Sequence, residues 1–213
     1  MTGLLRTFAY VDGLNLYYRA VKGTAHKWLD VEALLRSLLR PENDLVRIRY
    51  FTADISGRRD PSAPLRQQAY LRALGTNPVV AIHKGNFLVS TKWAEIASPP
   101  DKFLRPSPVV VSVIKTEEKG SDVNLAAHLL NDAFNDRFDV AVVLSNDTDL
   151  VEPLRMVRDE IRKPVGLICP SPKPAESLRR VASFIRHITS SRLAGAQLPN
   201  PIPGTTIHKP ETW

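Results

Sequence analysis

Carboxylates recur at three well-separated places in the chain, each just beyond an apolar, strand-like run. Asp12 follows residues 4–11, Asp122 (with Glu118 just before it) follows a β-branched run at 109–114, and Asp147 and Asp149 follow residues 140–144. Crowded acids repel one another unless a cation or protons sit between them. A set of hard oxygen donors, without a Cys cluster or paired His, suits Mg²⁺ or Mn²⁺ better than zinc. The chemistry such a set could perform is metal-assisted hydrolysis of a phosphodiester. Asn15, Ser145 and Thr148 are placed to hold water or phosphate, and Lys119 to offset charge on a non-bridging oxygen. Each acid also has a local explanation. Asp149 could cap a helix with Glu152 completing a capping box, Asp122 suits a helix first turn, and Asp12 before Gly13 suits a turn.

These acids share one crevice only if the elements carrying them are neighbours. Residues 4–11 read as a first strand, followed by a short helix opening at 15–18 and a helix over 31–40 capped by Asp30. Residues 45–53 alternate as a second strand. A helix over 64–74 and a strand over 79–83 follow. Gly85-Asn86 suggests a hairpin turn with 87–93 returning, which makes 84–107 a loop or hairpin insertion. Ser98 to Lys102 reads as an exposed loop. Ser121 is expected to cap a helix over 121–134. The apolar run 140–144 suits a buried parallel strand. Helix 150–162, strand 165–169 and helix 176–187 complete the body, expected to be a single domain over 1–190. Residues 191–213 are expected to form a Pro-rich C-terminal tail, in which a short amphipathic piece at 190–198 leads into 199–213, a mobile tail or a strap on a partner. Alternating strands and helices predict an α/β fold with a mostly parallel sheet and right-handed crossovers. Ligands of open α/β sheets bind at the carboxyl ends of the strands, where these acids fall.

The 213 residues fit one such domain, and 43% hydrophobic and 24% charged content are ordinary for a globular core. No apolar run is long enough to span a bilayer, and the first residues lack a signal-peptide core. The single cysteine, Cys169, excludes an internal disulfide framework and reads as a small core residue, with a reducing cytoplasm the expected setting. Lys and Arg number 29 against 22 acids, for a net charge of +7. That balance favours a polyanionic partner such as RNA. Arg19, Arg58, Arg59, Arg66, Lys84 and Lys92 could follow a nucleic-acid backbone. Tyr17, Tyr18 and Trp93 could stack bases, although singly they read more readily as core. His128, six residues beyond Asp122, faces away from it. There is no Gly-x-Gly-x-x-Gly, Walker loop or Gly-x-Ser-x-Gly elbow. The sequence leaves a homodimer open.

Val11-Asp12-Gly13-x-Asn15-Leu16, Glu118-Lys119-Gly120-Ser121-Asp122-Val123 and Leu144-Ser145-Asn146-Asp147-Thr148-Asp149-Leu150 together resemble the NYN family, a branch of the PIN-like nuclease superfamily. The resemblance covers roughly residues 8–169. It implies a three-layer α/β/α PIN-like sandwich and metal-dependent ribonuclease activity, with Asp12, Asp122, Asp147 and Asp149 as the acidic catalytic and metal-holding set and Asn15 as its companion. Asn146 stands where a Gly is usual, and Leu150 where an aromatic is common. Asn15-Leu-Tyr-Tyr, Lys27-Trp-Leu-Asp30 and Ala194-Gly-Ala-Gln-Leu-Pro also resemble a small NYN-like group assigned as NADH-dependent monooxygenases of a hydroxypyridine (6-hydroxy-3-succinoylpyridine type). No flavin or nicotinamide fingerprint is visible. A third reading is an RNA-binding module without turnover.

Overall fold

The computed structural model describes residues 3–58, 60–96 and 110–213. Seven strands among them form one sheet in the order β4-β3-β2-β1-β5-β6-β7. They are β1 (Leu5–Asp12), β2 (Asn43–Ala53), β3 (Val80–Glu95), β4 (Val110–Lys119), β5 (Val140–Leu144), β6 (Val165–Cys169) and β7 (Phe184–His187). All pairings are parallel except β3 with β4. The chain runs outward from β1 through β2 to β3, then returns to β1's other side at β5 and runs outward again. The β1–β5 boundary is therefore the topological switch point, where a crevice opens above the strand ends.

Strand pleating distributes the core between two layers. Ala9, Val11, Ile48, Val142 and Leu144 face one side, with Trp28, Leu34, Leu35 and Tyr70. These belong to α2 (Val31–Leu38), α3 (Ala63–Gly75) and the segments around them. Tyr10, Phe51, Ala141 and Val143 face the other side, with Leu125, Leu129 and Leu154. There the cover is α4 (Ser121–Phe134), α5 (Val151–Arg155, flanked by a 3₁₀ turn and a wide π turn) and α6 (Glu176–Val181). Successive residues of β1 and β5 thus bury alternately above and below the sheet, as a period of two requires. The fold is the expected three-layer α/β/α sandwich. One polar cluster lies within the second layer. Asp132, wholly buried, accepts from Tyr10 Oη at 2.8 Å, Arg49 Nε at 2.6 Å and Arg137 Nη1 at 2.9 Å.

Several elements differ from the sequence reading. No turn occurs at Gly85-Asn86, because β3 runs straight through to Glu95. Its first part, residues 80–85, pairs with β2, and residues 86–95 pair with β4 beyond the sheet's edge. Gly85 is a strand glycine of close approach: a Cβ there would lie 2.8 Å from the Lys119 carbonyl and 3.0 Å from the Ser121 nitrogen. The loop expected at 98–102 falls outside the described residues. The long helix expected over 176–187 stops at Val181, and Phe184–His187 becomes the edge strand β7. The Phe184 ring lies over Gly166, where a Cβ would be 2.1 Å away. Segment 199–213 is seated on the chain's own body. The Trp213 ring meets Trp28 edge-on at 5.9 Å and Tyr70 at 5.4 Å, and Trp28 Nε1 donates to the Pro199 carbonyl at 3.0 Å. α7 (Ser190–Gly195) precedes it.

Candidate active site

β1 ends in Asp12, which is 5% exposed. Its two carboxylate oxygens are held separately. The Asn15 backbone N–H donates to one at 2.9 Å and Ser145 Oγ to the other at 2.9 Å. Asp12 therefore caps α1 (Gly13–Leu16) and also ties the end of β1 to the end of β5. Ser145 Oγ accepts from the Asp147 backbone N–H at 3.1 Å, and Asn15 Oδ1 from the Asn146 N–H at 3.2 Å. Asp147 in turn caps the next turn, accepting from the Asp149 N–H at 3.0 Å. The capping role considered for Asp149 belongs to Asp147, and Glu152 pairs with Arg155 instead of completing a capping box.

Asp122 arrives from the far side. The antiparallel β4 returns the chain to the strand ends, and Gly120, with φ of 100°, turns it into α4. Ser121 does not cap that helix. Glu118 Oε1 instead accepts from the Ser121 N–H at 2.9 Å. Asp12, Asn15, Glu118, Ser121, Asp122 and Asp147 then line one crevice of about 440 Å³, with Arg19 and Tyr18 at its rim. Asp149 is exposed beside it and contributes to the field on Asp122.

The electrostatics follow from this crowding. Burial pushes the Asp122 carboxyl up to about 6, and the charges of Asp12, Asp147, Glu118 and Asp149 push the same way. Burial also raises Asp12, opposed by its bonds to Asn15 and Ser145 and reinforced by Asp147 and Glu118. Ion pairs among the described residues engage other acids, such as Asp132, Glu117 and Asp60, and none of these five. Hard oxygen donors with uncompensated charge match the chemistry of Mg²⁺ or Mn²⁺. Among the described residues, however, no three His, Cys, Asp or Glu side chains are grouped as a ready-made metal cage.

The remaining expected site residues divide. Ser145 and Asn15 join the site as anchors of Asp12 and Asn146. Lys119 is exposed and lies 3.8 Å from Glu117, and Thr148 is exposed on the turn outside the crevice lining. Arg66, Lys84 and Lys92 are engaged by Asp60, Asp54 and Glu117, while Arg59 lies outside the described residues. Tyr18 and Trp93 are 57% and 75% exposed, so the core reading of these two is corrected. His128 packs against His83 at 4.1 Å and does not line the acidic crevice. Cys169 is fully buried in β6.

Glu118, read together with Asp122 in the sequence but not counted in the acidic set, faces the crevice. One contributor was missed. Asn146, read as a departure from the usual Gly, accepts from the Ala175 N–H at 2.7 Å and donates to the Lys173 carbonyl at 3.3 Å, fastening the loop after β6 to the site.

The comparisons with known proteins agree with this architecture. Residues 6–190 match the NYN domain, and the chain belongs to that nuclease-like family. The chain is 35% identical, over 98% of its own length and 75% of the relative's, to 6-hydroxy-3-succinoylpyridine 3-monooxygenase HspA of Pseudomonas putida. The fold is shared with a crystal structure of a protein of unknown function from Vibrio parahaemolyticus, at a TM-score of 0.56 and 14% identity, covering 89% of this chain and 96% of that one. No helix of the described residues is long and apolar enough to cross a membrane.

Proposed function

We propose that the protein is a metal-dependent ribonuclease that hydrolyses RNA phosphodiester bonds at the crevice between β1 and β5. The observation that carries this reading is the convergence of Asp12, Asp122 and Asp147 from three distant segments on one crevice, none of them in an ion pair among the described residues. Asp12, Asp122, Asp147 and Asp149 would hold Mg²⁺ or Mn²⁺. Mg²⁺ commonly keeps several waters and takes only one or two carboxylates plus substrate phosphate, so a closed protein cage is not required. When bound, the ion polarises the phosphoryl oxygen and lowers the pKa of a water. Asp12 is the fixed point, since burial and two hydrogen bonds leave its carboxylate one orientation. Ser145 and Asn15 hold the β5 loop so that Asp147 stays beside it. Arg19 at the rim supplies positive charge for a non-bridging oxygen, a role the sequence had suggested for Lys119.

A second reading has its own support. The relative from Pseudomonas putida is named as a monooxygenase of 6-hydroxy-3-succinoylpyridine and aligns over nearly this whole chain. The deciding experiment incubates the pure protein with mixed single- and double-stranded RNA, with and without Mn²⁺. In parallel, NADH consumption is followed with 6-hydroxy-3-succinoylpyridine. RNA cleavage that needs the metal, without substrate-dependent NADH consumption, is the expected result. NADH consumption without cleavage would replace the ribonuclease with the monooxygenase. Salt-sensitive RNA binding without either turnover would leave a binding module.

A further inference from the structure

A second, larger cavity of about 890 Å³ adjoins the acidic crevice, sharing Leu14 and Tyr18 with it. Its volume lies within the range of small-molecule sites. Tyr17, Tyr18, Tyr50 and Trp213 give it flat aromatic walls, and the β3–β4 arm closes one side through Phe87. Lys22, Lys27 and Arg58 line it without an ion-pair partner among the described residues. Its one acid, Asp60, is already taken by Arg66. Lys22 Nζ stands 4.9 Å from the Tyr18 ring centre. The cavity thus has the opposite charge character to the crevice next door.

Tyr50 lines the larger cavity. It is 5% exposed, and the field of Asp12 reaches its hydroxyl. Among the described residues that hydroxyl has no hydrogen-bond partner, whereas the neighbouring Tyr70 hydroxyl donates to the Leu29 carbonyl at 2.9 Å. Gly13 leaves the room Tyr50 occupies, since a Cβ there would fall 2.5 Å from its ring. Open to the cavity and without an internal bond, this hydroxyl can donate to or accept from a ligand there.

We propose that this cavity binds a single unpaired nucleotide of the RNA, a heteroaromatic base with its phosphate, adjacent to the bond cut in the crevice. The inference rests on the ribonuclease reading and names its substrate class as single-stranded RNA. The base stacks on the aromatic walls, as sequence-tolerant binders of single strands do. Lys22, Lys27 and Arg58 meet the phosphate, and the Tyr50 hydroxyl bonds a polar edge of the nucleotide. A duplex cannot present a base this way without unpairing it, so paired RNA is the poorer substrate.

Tryptophan fluorescence tests the site, since Trp213 lines it and Trp28 packs against Trp213. The titration is run in EDTA, so that no cleavage intervenes, with 5′-UMP, 5′-AMP, uridine and pyridine-3-carboxylate. Both nucleotides should quench saturably, and uridine should bind at least tenfold more weakly. The Lys22→Ala/Lys27→Ala double variant should weaken UMP binding about tenfold through the lost phosphate charge. The hydroxyl deletion Tyr50→Phe, with an unchanged near-ultraviolet spectrum, should weaken it at least threefold. RNA cleavage on the same preparation separates the two claims. A protein that cleaves RNA but shows no saturable nucleotide binding overturns the pocket and leaves the ribonuclease standing. Nucleotide binding without cleavage keeps the pocket and removes the ribonuclease. Pyridine-3-carboxylate binding more tightly than either nucleotide overturns the nucleotide assignment.

Discussion

Asp122 shows how the site trades stability for charge. Its carboxyl is raised from 3.8 to about 6 by burial and by four neighbouring acids. Between those two values the folded chain holds more protons than the unfolded one, so this group's contribution to stability falls as pH rises through that window. Asp122→Asn should therefore raise the thermal midpoint at pH 7 and leave it nearly unchanged at pH 4. Because the side chain is only partly buried, solvent screening trims the gain to about 1 kcal/mol, or about 2–4 °C for a chain of this size. Calorimetry at the two pH values checks this, and an equal shift at both would mean the acids do not repel. At this scale the sequence was informative. Asp12 and Asp147 were legible because each follows a parallel strand, and such strand ends open on one rim; Asp122 also follows a strand-like run, but the antiparallel β4 is what returns it to that rim. Lys119 was misplaced because a residue next to a site in sequence points the opposite way in a strand. Glu118 gains from the same alternation, since it lies on the crevice side.

Among the elements, β3 and β4 do the most to shape the site, and they were the least legible. Gly85-Asn86 has hairpin chemistry on paper. Gly85 in fact lets the Lys119 backbone and the α4 N-terminus pass close to β3. A long-range contact decides the element there, and no local pattern reports it. Gly85→Ala should cost about 1–3 kcal/mol, the usual range for overpacking, and lower RNA cleavage by displacing Asp122. Gly75→Ala, whose new methyl would meet nothing nearer than 4.0 Å, should be neutral or mildly stabilising by about 0.4–1 kcal/mol. Equal midpoints for the two variants in thermal melts would remove the close-approach argument. The strand β7 was missed for a related reason. The apolar residues Leu178, Val181, Phe184 and Ile185 fit a helical stripe, and a short apolar run does not declare its period. The groove over Gly166, which receives Phe184, ends the helix and makes a strand.

On the scale of the whole molecule, order and charge join these parts into one surface. The strand order β4-β3-β2-β1-β5-β6-β7 places Asp12 and Asp147 on adjacent strand ends, and the return of β4 brings Asp122 to face them. The neighbouring of Asp12 and Asp147 was predictable from the alternation of elements; the return of β4 was not, nor was the seating of 199–213 over Trp28 and Tyr70, since four prolines and few apolar residues announce no packing. On the proposed ribonuclease reading, with a net charge of +7, RNA affinity should fall with salt. Neutralising about four phosphates of a single strand gives a slope near −3 on a log–log plot, at ~−0.7 per phosphate. Binding titrations between low and moderate salt measure it, and a flat line would deny a phosphate-tracking face. The most direct test of the shared acidic crevice is the cleavage rate of a labelled single-stranded RNA in Mn²⁺ by wild type and by Asp147→Asn, a near-isosteric change that removes one charge. Wild type should cut and the variant should be slower by about a hundredfold or more, the scale of losing a group that stabilises transition-state charge. Equal rates in the two proteins, or wild-type cutting that persists in excess EDTA, would contradict it.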